Sequence, residues 1–360
     1  MSASRKATEA GGNARFRYVL SYRTSHGAVE DLTTGAQDDA RHTAHAERVL
    51  TLPSGAPDEL AEKLDAPTGR GREVYEVAGS DVAFLTRGGD WLRYSASGSS
   101  EFAEKAAGVL YRSGDRVPYG GTLADVVDRA GRAEKEPVVG EDGSRRYELT
   151  VSARTAAVVL PEGAGFDGLT DEQAHTPLSL NVRLDAEGRL VEATADFAPL
   201  LEVLHQEGAL REVTELTAAY TLTDFGDAVP QQVAAGAQDT EKLLTELTAM
   251  KPGACASRDT GLGSHGLVRP VDCDRDHDLR VFGRVRVDTT SRKEPRVDFA
   301  ESEAEKKREA RFAAAPVAWT ARAKPRNTFL TIGSSQTGYS PGSDHRAYGD
   351  FTCAVSATGY

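Results

Sequence analysis

The chain has 360 residues, 39% of them hydrophobic and 27% charged, with 11 Phe and 11 Tyr; that is enough apolar material for two or three folded domains and too much for a disordered polymer. A formal net charge of −12 at pH 7 opposes a polyphosphate backbone, and no basic stripe with interleaved aromatics occurs, which sets nucleic acid aside as a partner. No apolar run approaches the ~20 residues of a membrane-spanning helix, and the opening stretch MSASRKATEAGG lacks the apolar core of a signal peptide.

Residues 1–14 therefore read as a polar tether, with any export segment lying outside this chain. RFRYVLSY (Arg15 to Tyr22) places Phe16, Tyr18, Leu20 and Tyr22 on one face of a strand by their period of two. AHAERVLTL, REVYEVAG, VAFLTR and WLRYS continue as an antiparallel meander, interrupted by the Gly- and Pro-rich piece from Pro53 to Gly71. Helical character enters at Ser99 to Gly114 and again at GGTLADVVDRAG, where Thr122 caps a helix with Leu123, Val126 and Val127 on one side. Strands resume at Ser144 to Ala153, Pro177 to Phe197 and Arg211 to Gly226. Within the second of these, Asp185-Ala-Glu-Gly188 between alternating runs signals a hairpin. Strands, then helices, then strands predict an α+β fold: a curved antiparallel half-barrel sheet with helices on one face, which leaves a cavity on the closed side.

The pieces VYEVAGSDVAFLTRGGDWLRYS, YGGTLADVV, LSLNVRLDAEGRLVEATADF and AYTLTDFGDAVPQQ together resemble the LolA/LppX-like lipoproteins of actinobacteria, over roughly Arg15 to Ala235. The resemblance implies an open half-barrel, with helices over its mouth, that holds a lipid or another hydrophobic ligand. It also implies an exported precursor anchored through a lipidated cysteine, and none stands near Met1. It places Trp91 in or near the concave face. The residues expected to line that face are Phe16, Tyr18, Leu20, Tyr75, Phe84, Trp91, Leu180, Val182 and Phe197. A concave apolar sheet leaves area that a lipid chain covers at ~25 cal/mol per Å²; the same residues suit a closed core.

QDTEKLLTELTAM (Gln238 to Met250) reads as a short amphipathic helix, which makes 236–252 a helical linker between a domain at 15–235 and another at 253–360. Cys255, Cys273 and Cys353 all lie in that last part, in turn-rich or strand-like flanks without C-x-x-C spacing, so a structural disulfide is expected rather than zinc. Gly253-Ala-Cys255, Val271-Asp-Cys273, His277 and the terminal Cys353 strand are similar to the septum-formation-type extracellular domain of actinobacterial membrane proteins. That family usually carries a fourth cysteine, absent here, and three cysteines leave three pairings open. The module is thus expected to be a small disulfide-bearing α+β domain able to bind an envelope protein. ESEAEKKREAR (Glu301 to Arg311) predicts an exposed helix that brings Phe312 and Trp319 toward its sheet.

No motif carries catalysis, a cofactor or a metal. DCDRDHD begins like a calcium loop, but His277 stands where the sharp turn needs Gly and Gly283 where the final Glu belongs. GLGSHG around Ser264 misses the first glycine of a nucleophile elbow. The sequence therefore predicts a non-enzymatic protein of the cell envelope or extracellular space, membrane-tethered in its full precursor, that binds a lipid or other hydrophobic molecule. The rival expectation is an interaction protein with a filled core whose C-terminal domain recognises an envelope partner.

Overall fold

The computed structural model describes residues 2–56, 60, 64, 72–79, 81–86, 88–95, 121–130, 133, 135–160, 170–206, 208–227, 236–259, 267–291, 299–320, 328–338 and 345–356. The chain divides into two units, the first running to Gln238 and the second beginning at Asp239.

The first unit is built on one antiparallel sheet. Its strands are β1 (Asn13–Thr24), β2 (Gly27–Asp38), β3 (Thr43–Thr51), β4 (Arg72–Ala78), β5 (Asp81–Leu85), β6 (Trp91–Ser95), β7 (Val138–Val139), β8 (Arg145–Ser152), β9 (Pro177–Leu184), β10 (Leu190–Asp196) and β11 (Val213–Thr223). Their order is β6-β5-β4-β3-β2-β1-β11-β10-β9-β8-β7, with the two-residue β12 (Gln238–Asp239) beside β6. Two meanders thus meet where the first strand pairs with the last, in the register Phe16↔Leu222, Tyr18↔Tyr220 and Leu20↔Ala218. The predicted hairpin joins β9 and β10. Asp185 and Arg189 close it through a backbone hydrogen bond of 3.0 Å, and Gly188 takes the left-handed conformation (φ 82°) that the turn needs.

Helices lie on one face of this sheet, as the α+β half-barrel reading expects. In the helix Leu123–Arg129, Thr122 Oγ1 accepts from Ala124 N at 3.2 Å, a cap worth ~1 kcal/mol, and Leu123, Val126 and Val127 are buried against β10 and β11. A second helix, Ala198–Gln206, buries Leu200, Leu201, Val203 and Leu204 and packs on β9 and β11. The short Ala153–Ala156 helix sits on β8 and β9. The helix expected at Ser99 to Gly114 lies outside the described residues.

One expectation for this unit changes. The polar tether is a helix, Ser2–Ala10, and it is docked rather than free. Thr8 is fully buried; its Oγ1 donates to Ser4 O and accepts from Leu190 N of β10, both at 2.9 Å. Arg5 reaches Asp128 and Glu9, each at 2.9 Å. A polar composition hid this helix, because a few placed hydrogen bonds, not an apolar stripe, fasten it. The sequence reading also passed over β2, GAVEDLTTGAQD, whose Gly, Asp and Glu content disguises a strand paired along its whole length with β1 and from Glu30 to Asp38 with β3.

The second unit holds a six-stranded antiparallel sheet: β13 (Thr245–Glu246), β14 (Cys255–Ser257), β15 (Leu267–Val271), β16 (Leu279–Ser291), β17 (Thr328–Gly338) and β18 (His345–Ser356), in the order β13-β15-β14-β16-β18-β17. The helix Phe299–Ala314 packs on β16 and β18. Phe312 meets Phe282 edge to face at 5.5 Å between ring centres. Trp319, on the separate helix Val317–Thr320, lies against Gly253 and under Arg280. A bulge between Val281 and Gly283 puts Val281 in one apolar cluster and Phe282 in the other. The expected helical linker at 236–252 dissolves into this unit. Only Thr240–Leu243 is α-helical, Thr245 and Glu246 pair with β15, and Leu244, Leu247 and Met250 are buried. Pairing with β15 overrides the helical periodicity of that stretch.

Candidate functional site: the inner face of the large sheet

Alternation and register define one continuous face. In β1, Phe16, Tyr18, Leu20 and Tyr22 are buried on the same side. Directly opposed residues share a face, so that side continues through Leu216, Ala218, Tyr220 and Leu222 of β11, Ala193 and Ala195 of β10, and Leu180 and Val182 of β9. Phe197, two residues past Ala195, joins the same core. In the other direction it runs through Ala44 and Ala46 of β3, Tyr75 and Val77 of β4, Val82 and Phe84 of β5, and Leu92 and Tyr94 of β6.

Eight of the nine residues expected to line a ligand are therefore brought to this face, and all eight are buried: Phe16, Tyr18, Leu20, Tyr75, Phe84, Leu180, Val182 and Phe197. Trp91 is not among them. Phe84 stands opposite Leu92, and Leu85 opposite Trp91, so the pleat turns Trp91 to the outer side together with the exposed Arg93. Its half-buried state fits that placement.

The inner face also carries a polar island that no expectation included. Arg48 of β3 sits between Asp31 of β2 and Glu73 of β4, all three side chains less than 15% exposed. Its Nε and Nη2 donate to the Asp31 carboxylate at 2.9 and 2.8 Å, its Nη1 to Glu73 at 3.2 Å, and its Nη2 also to the carbonyl of Leu64 at 3.1 Å. The bidentate fork on Asp31 is the strongest pairing geometry available to arginine. Three tyrosines surround the island. Burial, followed by the negative charge of Asp31 or Glu73, pushes the hydroxyls of Tyr18, Tyr22 and Tyr75 well above the ordinary phenol range and keeps them protonated. Among the described residues the buried Tyr18 and Tyr22 hydroxyls meet no hydrogen-bond partner. The sequence held a signal for the island: Arg48 has the parity of Ala44 and Ala46, and Glu73 that of Tyr75 and Val77, so charged residues stand at inward positions.

On the outer side, an open cleft of about 390 Å³ is bordered by Val19, Ser21, Thr194 and Thr217. None of the residues expected to line a ligand borders it.

In the second unit Cys255 and Cys273 form a disulfide, which settles the pairing left open by the sequence. Cys353 is a buried free thiol whose pKa burial pushes up to about 11. In the acidic turn, Asp278 is buried and accepts from Ser257 Oγ and Arg258 N at 3.0 and 2.8 Å, while Asp272, Asp274 and Asp276 are exposed. The ring of His277 reaches the Arg275 carbonyl at 2.7 Å. Among the described residues no group of three or more His, Cys, Asp or Glu side chains converges to hold a metal ion. Ser264 and its glycine-rich neighbourhood lie outside the described residues.

No family model and no curated protein matches this sequence. Among solved structures the chain is similar to the Mycobacterium tuberculosis lipoprotein LppX, at 13% identity and a TM-score of 0.29 over 64% of this chain and 94% of that one. It is also similar to an uncharacterized conserved protein from Thermus thermophilus, at 9% identity and a TM-score of 0.28 over 66% and 98%. A third likeness is to the Pseudomonas aeruginosa MucA/MucB complex, at 10% identity and a TM-score of 0.25 over 98% and 92%. At TM-scores this low the functional reading rests on this chain's own residues.

Proposed function

We propose that the first unit binds a lipid or other hydrophobic molecule on the inner face of its half-barrel, as a non-enzymatic protein of the cell envelope or extracellular space. The observation that carries the reading is the extent of that face: large apolar side chains line it from β9 to β6, and the polar island of Asp31, Arg48 and Glu73 is set within it. A face that is apolar throughout with a few placed polar groups is the usual chemistry of a small-molecule site. The disulfide of the second unit supports an oxidising compartment.

Native mass spectrometry of the purified protein, beside an organic extract of the same sample, tests the reading. The expected result is a co-purifying lipid-sized mass that persists in Trp91→Arg, because Trp91 faces outward. A bare protein mass that stays unchanged after incubation with envelope lipids overturns it and leaves the first unit as a filled core serving protein interaction.

A further inference from the structure

The Ser2–Ala10 helix is fastened without apolar anchors. Its sequence, SASRKATEA, holds no apolar side chain larger than alanine, and it buries Ser4 and Thr8. A helix of nine residues is marginal on its own, and a packed apolar face is what ordinarily holds one in place. Here Thr8 Oγ1 accepts from the Leu190 amide and Arg5 reaches Asp128, each at 2.9 Å. Ser4 Oγ is buried and meets no hydrogen-bond partner among the described residues, so its burial works against the contact. The helix ends on Gly11 and Gly12. Gly11 N donates to the carbonyls of Ala7 and Thr8, Gly12 N to that of Glu9, and Gly12 takes the left-handed conformation (φ 74°). The pair joins the helix to β1 and is free enough in backbone angle to act as a hinge.

A cluster of carboxylates stands beside this contact. Asp39 follows the end of β2; its N–H donates to the Gly12 carbonyl at 3.5 Å, and its carboxylate accepts from the Gln37 amide at 3.0 Å. On its own segment it meets Asp38, which is buried and lies 3.6 Å from Arg41. From the helix it meets the charges of Glu9 and Arg5, and Arg5 also reaches Asp128. Burial is the main cause that raises the Asp39 pKa to about 7, with Glu9 and Asp38 adding to the rise.

We infer that the Ser2–Ala10 helix is a pH-governed strap: it is docked on β10 and on the helix Leu123–Arg129 while Asp39 keeps its proton, and it swings out about Gly11 and Gly12 once Asp39 ionises beside Glu9 and Asp38. The sign follows from comparing the docked and released states. Release gives Asp39 back to water, where it titrates near the ordinary ~3.9 of an aspartate; docked, it titrates at about 7. Docking therefore takes up a proton between about pH 4 and pH 7, and each pH unit gained in that range weakens it by up to about tenfold. Above that range the group is ionised in both states, and the dependence levels off. Release also parts Arg5 from Asp128, and so unties one end of a helix that lies over the inner face.

The test attaches a nitroxide spin label to the helix in the full chain through Lys6→Cys, an exposed position; Cys353 is buried and stays unlabelled in the folded protein. Continuous-wave spectra recorded from pH 5 to pH 8 resolve an immobile, docked component and a mobile, released one. The expected result is a mobile-to-immobile ratio that climbs by up to about tenfold per pH unit as far as about pH 7 and then levels off. In Asp39→Asn, whose amide cannot ionise, the ratio is expected to stay at its pH 5 value throughout. Equal ratios at pH 5 and pH 8 overturn the inference, and so does an unchanged rise in Asp39→Asn. Far-UV circular dichroism of the same samples separates release from unfolding: a mobile component that appears only together with loss of the sheet signal overturns it as well, because the sheet and not the strap is then what opens.

Discussion

Gly35 of β2 lies flat against the ring of Phe16 of β1: a Cβ at Gly35 would stand 2.7 Å from two Phe16 ring atoms and press into the carbonyl oxygen of His45 on β3. The two residues are opposed in register, so the largest side chain at that end of β1 is accommodated by the absence of one on its neighbour. Both obstacles belong to strands paired on each side of β2, and a backbone carbonyl yields less than a side-chain tip. Gly35→Ala is therefore expected to lower the unfolding free energy by about 3 kcal/mol or more. Urea unfolding of the variant checks this, and a midpoint equal to that of the wild type would show that the sheet absorbs a methyl group there.

The pleat makes opposite predictions for two neighbouring aromatics. Phe84 is 4% exposed on the inner face, and Phe84→Ala is expected to cost about 3–5 kcal/mol through the cavity left behind. Trp91 pairs with Leu85 on the outer side and is half-buried, so Trp91→Ala is expected to cost about 1 kcal/mol. Thermal unfolding of the two variants side by side separates the faces. A larger loss at Trp91 would reverse the assignment.

The contrast shows what the sequence could convey. Strands with uninterrupted alternation were legible, and so was the face each presents: Phe16, Tyr18, Leu20 and Tyr22 in β1, or Leu180 and Val182 in β9. The Thr122 cap and the Asp185 to Gly188 turn were legible because their chemistry is local. Trp91 misled because WLRYS offers an apolar residue at both parities, and only pairing with Phe84 decides between Trp91 and Leu92. β2 and the Ser2–Ala10 helix escaped because their stability comes from partners distant in sequence. Asp31, Arg48 and Glu73 lie on three different strands; the inward parity of Arg48 and Glu73 marks each as a charge on the core face, but only the register of β2, β3 and β4 brings the three together.

That cluster has a cost when broken. Arg48→Met leaves Asp31 and Glu73 facing one another at a site less than 15% exposed, and a loss of about 3 kcal/mol is expected. Arg48→Lys restores the charge but not the fork onto Asp31, so it recovers only part of that loss. Chemical denaturation of both variants provides the check; equal stability of the lysine variant and the wild type would show that charge alone suffices.

Asp39, just past β2, links the docked N-terminal helix to pH. Burial is the main cause that raises its pKa from 3.8 to about 7; Glu9 and Asp38 add to the rise, while the Gln37 amide, donating at 3.0 Å, and the charge of Arg5 oppose it. The folded protein therefore holds this proton between about pH 4 and pH 7, where the unfolded chain has lost it. The contribution to stability is complete below the unfolded value and is lost as pH rises through about 7. Asp39→Asn removes the titration, so it is expected to stabilise the protein by about 1–2 kcal/mol above neutrality and to gain little near pH 4. Urea midpoints measured at the two pH values decide the matter: a benefit confined to the acidic side would reverse the sign argued here.

The three cysteines divide into two kinds of behaviour. The Cys255–Cys273 bridge closes a separation of 18 residues, and its removal by Cys255→Ser/Cys273→Ser is expected to cost about 3 kcal/mol. Cys353 is fully buried on β18 opposite Gly283, and its thiol is raised to about 11, so it is neither accessible nor ionised at neutral pH. A chromogenic disulfide reagent should therefore find no reactive thiol in the folded, unreduced protein and one in denaturant. Reduction before denaturation should raise that count to three, since the bridge then contributes both of its sulfurs. Rapid labelling of Cys353 in the native protein would mean that β18 opens on the time scale of the reaction, and would place the second unit's sheet among the least stable parts of the chain.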